Sequence, residues 1–431
     1  MKSPHLWRKE SVAISENSAA DGSEASSVAA RRTQARVFSL TWLSYASYYL
    51  TRKNLSVAKK TIEQELGISR GALGWIDTGY LAAYAAGQFI FGRVADRAGA
   101  RRVLVAGMVA TAACSWWFGL SSRVAVMALA FGINGLVQST GWSANVKTMT
   151  QWFGPERRGV VMGAWSTCYQ VGSLVANPVC TAFLVTLGWR AAFLYPPLEV
   201  VAVALLLAAF LPRPPAGEAL QTSPAQTPPP APAPRAAGAV LRRPLLWVMG
   251  ASYFFMKLIR YVLLFWLPYY MQDALAYSKA LAGNLPLAFE AGGAVGSLTI
   301  GWLSDRAFRG QRLRVGLGAL VGLAIALPVY GALSGRGVVA NAASLAAVGF
   351  LLFGPDSLLS ATAAQDLGGK SEAGTAAGVI NGLGSIGAVF SGALAAWCSA
   401  RFGWGALYAL LGGGAALSAA ILLPYALRRP A

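Results

Sequence analysis

Two arginines lie inside apolar runs that are long enough to cross a membrane. Arg52 lies in residues 37–57 and Arg260 in residues 245–271. Each is about 15 residues from the start of its run, so the two arginines stand at similar depth. A guanidinium group keeps its proton at physiological pH, and its burial at this depth costs at least about 2.5 kcal/mol on insertion scales. Because its planar fork matches phosphate oxygens, we predict that both arginines bind one doubly charged oxyanion.

Helical spacing adds polar side chains to this predicted site. Tyr49 shares a helix face with Arg52, and Lys257 shares one with Arg260, since each precedes its arginine by three residues. Polar residues of the second, fourth and fifth predicted spans are further candidates to line the cavity, although each could instead join neighbouring helices. These are Tyr84, Gln88, Gln138, Trp142, Lys147, Trp165 and Tyr169.

Buried acids offer an alternative partner for the arginines. The acids available within or near the spans are Asp77, Glu199, Glu290 and Asp356. Glu290 could hold Arg260 or Lys257 while the site is empty and then be displaced by the anion. A fixed structural ion pair is the other interpretation of the same residue.

Composition indicates a polytopic membrane protein without a soluble catalytic domain. Of the 431 residues, 55 % are hydrophobic and 12 % charged, and mean hydropathy is +0.50. The net charge of +19 comes from basic residues that flank apolar runs, so we expect no nucleic-acid partner. The single histidine is His5, and the four cysteines lack metal-ligand spacing. We therefore expect no enzyme, no cofactor and no metal site.

The apolar runs predict an all-α membrane protein whose twelve transmembrane helices form two pseudo-symmetric six-helix bundles. The predicted spans are 37–57, 72–92, 103–121, 124–152, 159–187, 190–211, 245–271, 281–303, 313–333, 338–363, 373–398 and 403–426. The predicted segments are a disordered N-terminus (1–35), a first bundle (36–211), a proline-rich linker (212–244), a second bundle (245–427) and a tail (428–431).

Basic residues predict the orientation of the spans. The loops on the side of the N-terminus carry roughly three times as many Lys and Arg residues as the opposite loops. We therefore expect a multi-pass protein of the inner membrane with both termini in the cytoplasm, embedded in the lipid bilayer as a monomer.

A loop motif occurs once in each half of the chain. Asp96-Arg97 follows Gly92 in the first half, and Asp305-Arg306 follows Gly301 in the second. Such charges at the cytoplasmic ends of spans could form a latch that clasps helix ends in one conformation and releases them in another. They could also do no more than set the orientation in the membrane.

In these features the chain resembles the major facilitator superfamily and, within it, the organophosphate:phosphate antiporters. The superfamily likeness rests on the six-plus-six spans and the repeated loop motif. The narrower likeness rests on the segments 48–54 (YYLTRKN), 138–142 (QSTGW), 258–261 (LIRY), 289–293 (FEAGG), 353–355 (FGP) and 373–378 (AGTAAG).

The resemblance implies that Arg52 and Arg260 bind a phosphoryl group and that Lys53, Tyr261 and Glu290 lie in or near the site. It further implies exchange of inorganic phosphate for a phosphorylated metabolite of the sugar phosphate, glycerol phosphate or phosphoglycerate class. Gln88 and Tyr169 stand where glycerol-phosphate transporters have lysine and histidine, so the organic part of the substrate is left open. Two alternatives are a sugar-phosphate sensor of the same family and a proton-coupled symporter of a sugar acid.

Overall fold

The computed structural model describes residues 29–153, 161–162, 164–165, 167–212, 239–308 and 311–427. Within these ranges the regular secondary structure is helical, without a strand, which confirms the predicted all-α class. Large apolar side chains cover much of the outer surface; Leu298 and Val339, for example, are 77 % and 82 % exposed. An apolar exterior of this kind is suited to lipid.

The first half of the chain contains eight helical segments in its described part. They are α1 (29–47), α2 (Asn54–Leu66), α3 (Arg70–Ala98), α4 (Ala100–Leu120), α5 (Val124–Trp152), α6 (Thr167–Leu187), α7 (Ala191–Leu194) and α8 (Pro196–Phe210). Residues 29–35, which the prediction assigned to the N-terminal extension, are helical. Residues 213–238 of the predicted linker lie outside the described residues.

The described part of the second half contains six further α-helices. They are α9 (Pro244–Asp273), α10 (Lys279–Asn284), α11 (Leu287–Arg306), α12 (Arg312–Leu333), α13 (Val338–Ser357) and α14 (Ala363–Ala426). A π-helical segment, Leu358–Thr362, joins α13 to α14. Such segments occur often beside functional sites, and this one begins two residues after Asp356.

Helix α14 is too long to be one membrane span. At 1.5 Å per residue its 64 residues would extend about 96 Å, three times the hydrocarbon thickness. Its contacts show that the chain turns back, because Ser385 and Ser418 both lie near the first half of α9, whereas Trp404 reaches Asp273 at the other end. The turn is at Gly403, whose φ of +83° favours glycine.

Eight helices of the described ranges are long and apolar enough to cross a membrane, and one of them contains this turn. This criterion of length and composition does not show twelve spans, so that number stays a prediction. The first predicted span, 37–57, is wrong as a continuous helix. Helix α1 ends at residue 47, a 3₁₀ segment covers Tyr48–Thr51, and α2 begins only at Asn54.

The two halves are joined by charged groups at the end of the molecule where α2 meets α3. Asp273 accepts hydrogen bonds of 2.7 Å from both Lys60 Nζ and Arg70 Nη2. The Tyr269 hydroxyl donates to Glu63 at 2.6 Å. We call these five residues the outer network. Among the described residues, hydrogen bonds between the halves are found in the part of the molecule between the depth of the arginines and this end.

A proline strengthens the contact between the halves next to this network. Pro268 lies inside α9 and has no N–H, so the carbonyl of Leu264 lacks its usual partner one turn later. That carbonyl instead accepts hydrogen bonds from Ser56 Oγ at 3.1 Å and Lys53 Nζ at 3.4 Å, both in the first half. The helix defect therefore supplies a binding group for the opposite half.

Candidate functional site

Arg52 lies at the break between α1 and α2 and is 4 % exposed. Its Nε donates to Gln138 Oε1 at 3.0 Å. Irregular backbone at membrane depth is tolerated where it lines a cavity or is covered by protein. The break is therefore the local feature that directs this guanidinium toward the centre of the molecule.

Gln138 of α5 is fixed in one orientation by its neighbours. Its amide nitrogen donates to Thr51 Oγ1 at 3.0 Å and to Asn134 Oδ1 at 3.3 Å. Its oxygen is thereby left to accept from Arg52 and from the Tyr80 hydroxyl at 2.8 Å. Tyr80 was missed by the sequence reasoning, although it precedes the candidate Tyr84 by one helical turn.

Aromatic rings surround Arg52, but no carboxylate pairs with it among the described residues. The guanidinium carbon lies 4.8 Å from the ring centre of Tyr49 and 5.1 Å from that of Tyr84. Nη2 is buried and has no hydrogen-bond partner in the described structure. A buried guanidinium nitrogen without a partner costs free energy unless a ligand supplies an acceptor. This arrangement is suited to an incoming anion.

Arg260 of α9 differs from Arg52 because it has an acidic partner. Its Nη1 lies 3.0 Å from Asp356 Oδ2, and the two side chains are 16 % and 12 % exposed. The other oxygen of Asp356, Oδ1, is buried without a hydrogen-bond partner in the described structure. The guanidinium carbon also lies 4.5 Å from the Phe353 ring centre. Sequence reasoning named Asp356 only as one of several acids that could pair.

The two arginine environments meet at tyrosines from both halves. Tyr49 and Tyr261 are each close enough to interact electrostatically with both guanidinium groups. The ring centre of Tyr169, from the first half, lies 5.9 Å from the guanidinium carbon of Arg260, in the second. The structure thus brings together five predicted site residues: Arg52, Arg260, Tyr49, Tyr169 and Tyr261.

Glu290 does not contact the residues predicted for it. Its carboxylate lies 3.7 Å from Lys53 Nζ and accepts a 2.6 Å hydrogen bond from Ser173. Asp356 takes the position beside Arg260, and α11 instead brings Glu290 against the first half. Because Lys53 and Ser173 belong to that half, Glu290 forms a buried link across the site.

Lys257 lies one turn before Arg260, as its spacing predicts. Its Nζ donates to Asn381 Oδ1 at 2.6 Å and to Ser385 Oγ at 3.2 Å, both on α14. These acceptors are neutral oxygens, so they orient the ammonium group without cancelling its charge.

The other predicted residues lie around this centre. Trp142 packs against Tyr45 and Trp165, with ring centres 5.8 Å and 5.9 Å away, and so supports the aromatic wall. Gln88 is half-buried one turn after Tyr84. Lys147 donates to the carbonyl of Ala95. The remaining acids pair away from the arginines, Asp77 with Lys59 and Glu199 with Ser47.

The predicted cytoplasmic latch stays a prediction. The side chains of Asp96 and Asp305 lie outside the described residues. Their neighbours Arg97 and Arg306 are exposed at the ends of α3 and α11. The outer network, in contrast, was missed by the sequence reasoning, because nothing in the sequence shows which loop charges meet across the halves.

Comparison with known proteins agrees with this architecture. The chain is 29 % identical over 401 residues to the glycerol-3-phosphate transporter of Bacillus subtilis, covering 88 % of this chain and 89 % of that protein. It is 28 % identical to the membrane sensor protein UhpC of Salmonella typhimurium, covering 89 % of each chain. It is 27 % identical to a probable hexose phosphate transport protein of Chlamydia pneumoniae, covering 90 % of each.

A solved structure and a family model complete the comparison. The fold is similar to that of a bacterial homologue of the human lysosomal transporter Spinster in an inward-facing, unoccupied conformation. The TM-score is 0.70 at 15 % identity, covering 91 % of this chain and 95 % of that one. The sequence model of the Major Facilitator Superfamily matches residues 41–392. With the relatives above, it confirms the predicted likeness to the organophosphate:phosphate antiporters. The chain is a multi-pass membrane protein that belongs to the Major Facilitator Superfamily.

Proposed function

We propose that the protein exchanges a phosphorylated metabolite for inorganic phosphate across the inner membrane. The observation that carries this proposal concerns Arg52. It is buried, it pairs with no acid of the described residues, and its Nη2 has no hydrogen-bond partner in the described structure. Similarity to transporters of glycerol 3-phosphate and hexose phosphate supports phosphate esters as the substrate class.

The anion would connect the two halves of the protein. Arg52 belongs to the first half and Arg260 to the second, so one phosphoryl group held by both would draw the halves together on the open side. At Arg260 Nη1, a phosphate oxygen would compete with Asp356 Oδ2, which lies 3.0 Å away. Inorganic phosphate and a phosphate ester share this group, so either could drive the same movement.

The outer network would be the gate that opens and closes in each cycle. With both termini in the cytoplasm, as the loop charges predict, the outer network faces the outside. The site would then open toward the cytoplasm in this conformation. No covalent chemistry is required, because binding alone changes the balance between the two conformations.

Counterflow in phosphate-loaded proteoliposomes tests this proposal. External sugar phosphates, glycerol 3-phosphate or 3-phosphoglycerate should drive efflux of labelled phosphate. The variant Arg52→Lys should lower this exchange roughly a hundredfold, because lysine cannot reproduce the two-pronged hydrogen bonding. Arg190→Lys is the matched control, since Arg190 binds the carbonyls of Gly119 and Ser121 outside the site. Wild-type exchange in Arg52→Lys would refute the proposal.

Two further candidate functions rest on particular observations. Similarity to UhpC favours a membrane sensor, which would bind a sugar phosphate with thermal stabilisation but give no counterflow. The contact between Arg260 and Asp356 favours a proton-coupled symporter of a sugar acid, because a protonatable carboxylate lies beside an anion-binding group. Uptake of gluconate driven by a pH gradient would identify that function.

A further inference from the structure

Two cations of the central site contact no carboxylate among the described residues, unlike their neighbours Lys53 and Arg260. Lys53, Lys59 and Arg260 each lie within 4.0 Å of a carboxylate. Arg52 and Lys257 instead donate to the neutral oxygens of amides and a hydroxyl. The two uncompensated charges therefore lie one in each half, and they are not the symmetric arginine pair that the sequence emphasises.

Lys257 is held in a cradle formed by α14. Asn381 and Ser385 are one turn apart, and both accept from its ammonium group. Between them lies Gly384, where an added Cβ would stand 2.9 Å from Lys257 Cδ and 2.4 Å from a ring carbon of Tyr253. A side chain at this position would therefore displace the lysine, so the glycine leaves room for it to reach its acceptors.

The cradle positions the lysine without neutralising it. A lysine kept at membrane depth for structure alone would be expected to have a carboxylate partner. Asp356 is the nearby acid, but its hydrogen bond goes to Arg260. Lys257 is also only half-buried, whereas Arg52 is fully buried.

We propose that Lys257 binds a carboxylate on the organic part of the substrate, while Arg52 and Arg260 hold the phosphoryl group. This inference rests on the exchange function proposed above and narrows the substrate to phosphorylated carboxylic acids. Lys257 and Arg260 are separated by about 4.5 Å along α9, which suits a short acid whose two charged groups are a few bonds apart. An ammonium–carboxylate contact is a charge-assisted hydrogen bond, so the carboxylate should contribute strongly to affinity.

The test compares two substrates that share a three-carbon skeleton. In 3-phosphoglycerate a carboxylate replaces the hydroxymethyl group of glycerol 3-phosphate. In phosphate-loaded proteoliposomes the wild-type protein should be half-saturated by 3-phosphoglycerate at a concentration roughly tenfold lower than by glycerol 3-phosphate. Lys257→Gln should remove this preference by raising the half-saturating concentration of 3-phosphoglycerate selectively. The separate variant Lys257→Arg, which keeps a positive charge, should retain part of the preference.

The outcomes separate this inference from the function on which it rests. Exchange of both compounds with equal half-saturation would overturn the carboxylate subsite and leave phosphate exchange established. Equal weakening of both compounds in Lys257→Gln would likewise overturn it, because the lysine would then support only the shape of the site. Absence of exchange with every phosphorylated compound would overturn the proposed function and this inference together. The wild-type preference is measured without any variant, so it does not depend on how a variant folds.

Discussion

Replacing Asp356 by asparagine should tighten phosphate binding, because it removes the group that competes with the anion for Arg260. The carboxylate and guanidinium are 3.0 Å apart, and their side chains are 12 % and 16 % exposed. A hydrogen bond between charged groups of this kind contributes about 1.5 to 3 kcal/mol. If phosphate must displace the carboxylate, its dissociation constant should fall roughly ten- to a hundredfold in Asp356→Asn.

The same substitution should destabilise the protein without ligand. Arg260 would be left without a counter-ion, and breaking a buried pair on one side costs about 3 kcal/mol. Thermal unfolding in detergent, measured with and without phosphate, reports both effects. The midpoint without phosphate should fall, and the increase on adding phosphate should exceed that of the wild type.

A half-buried acid away from the arginines provides the control. Glu199 accepts a hydrogen bond from Ser47 at 2.8 Å and contacts neither arginine. Glu199→Gln replaces this carboxyl group by a neutral amide and should leave the phosphate dissociation constant unchanged. Weaker phosphate binding in Asp356→Asn would refute the displacement argument, since Asp356 would then be holding Arg260 in its binding position.

Three substitutions at the junction of the halves should favour the conformation that is open toward the outside. The measurement is the rate at which externally added maleimide labels a cysteine introduced at Gln88, and this rate should rise. Asp273→Asn removes the negative charge that two cations of the first half share, and about 2 kcal/mol lost here changes the ratio of conformations roughly thirtyfold. Pro268→Ala restores an N–H that can bond to the Leu264 carbonyl and so compete with the first half, an effect of about 1 kcal/mol. Gly392→Leu should open this end most, because an added Cβ would lie 2.5 Å from a backbone oxygen of the first half. Unchanged labelling in all three would show that these contacts do not hold the outer end closed.

The sequence predicted most of the helices and the positions of the two arginines within them. Apolar length predicts spans directly, because the bilayer sets how many residues a helix must contain. A charge inside such a run stands out for the same reason, which is why Arg52 and Arg260 could be identified without coordinates. Tyr49 as a neighbour of Arg52, and Lys257 as a neighbour of Arg260, were predicted from helical spacing alone.

Pairing across helices could not be predicted in the same way. Spacing places Glu290 and Asp356 at usable depth, but only the packing of α11 and α13 decides which one reaches Arg260. The break at residues 48–53 was also missed, since this segment contains neither proline nor glycine to mark the end of a helix. Contacts of the outer network join loops that are distant along the chain, so their partners were not visible either.

The difference between the two arginines has a consequence for exchange. Duplication of the chain predicts equal roles for them, yet one is held by a neutral amide and the other by a carboxylate. The first half therefore presents a guanidinium group without a carboxylate partner among the described residues, and the second half presents one that is paired with Asp356. In the proposed exchange, phosphate binding at Arg52 would break no ion pair among the described residues, whereas phosphate at Arg260 Nη1 would compete with Asp356. Capture of the anion and closure of the halves can thus be separate steps, and the second step becomes favourable only when a phosphoryl group is present to replace the carboxylate.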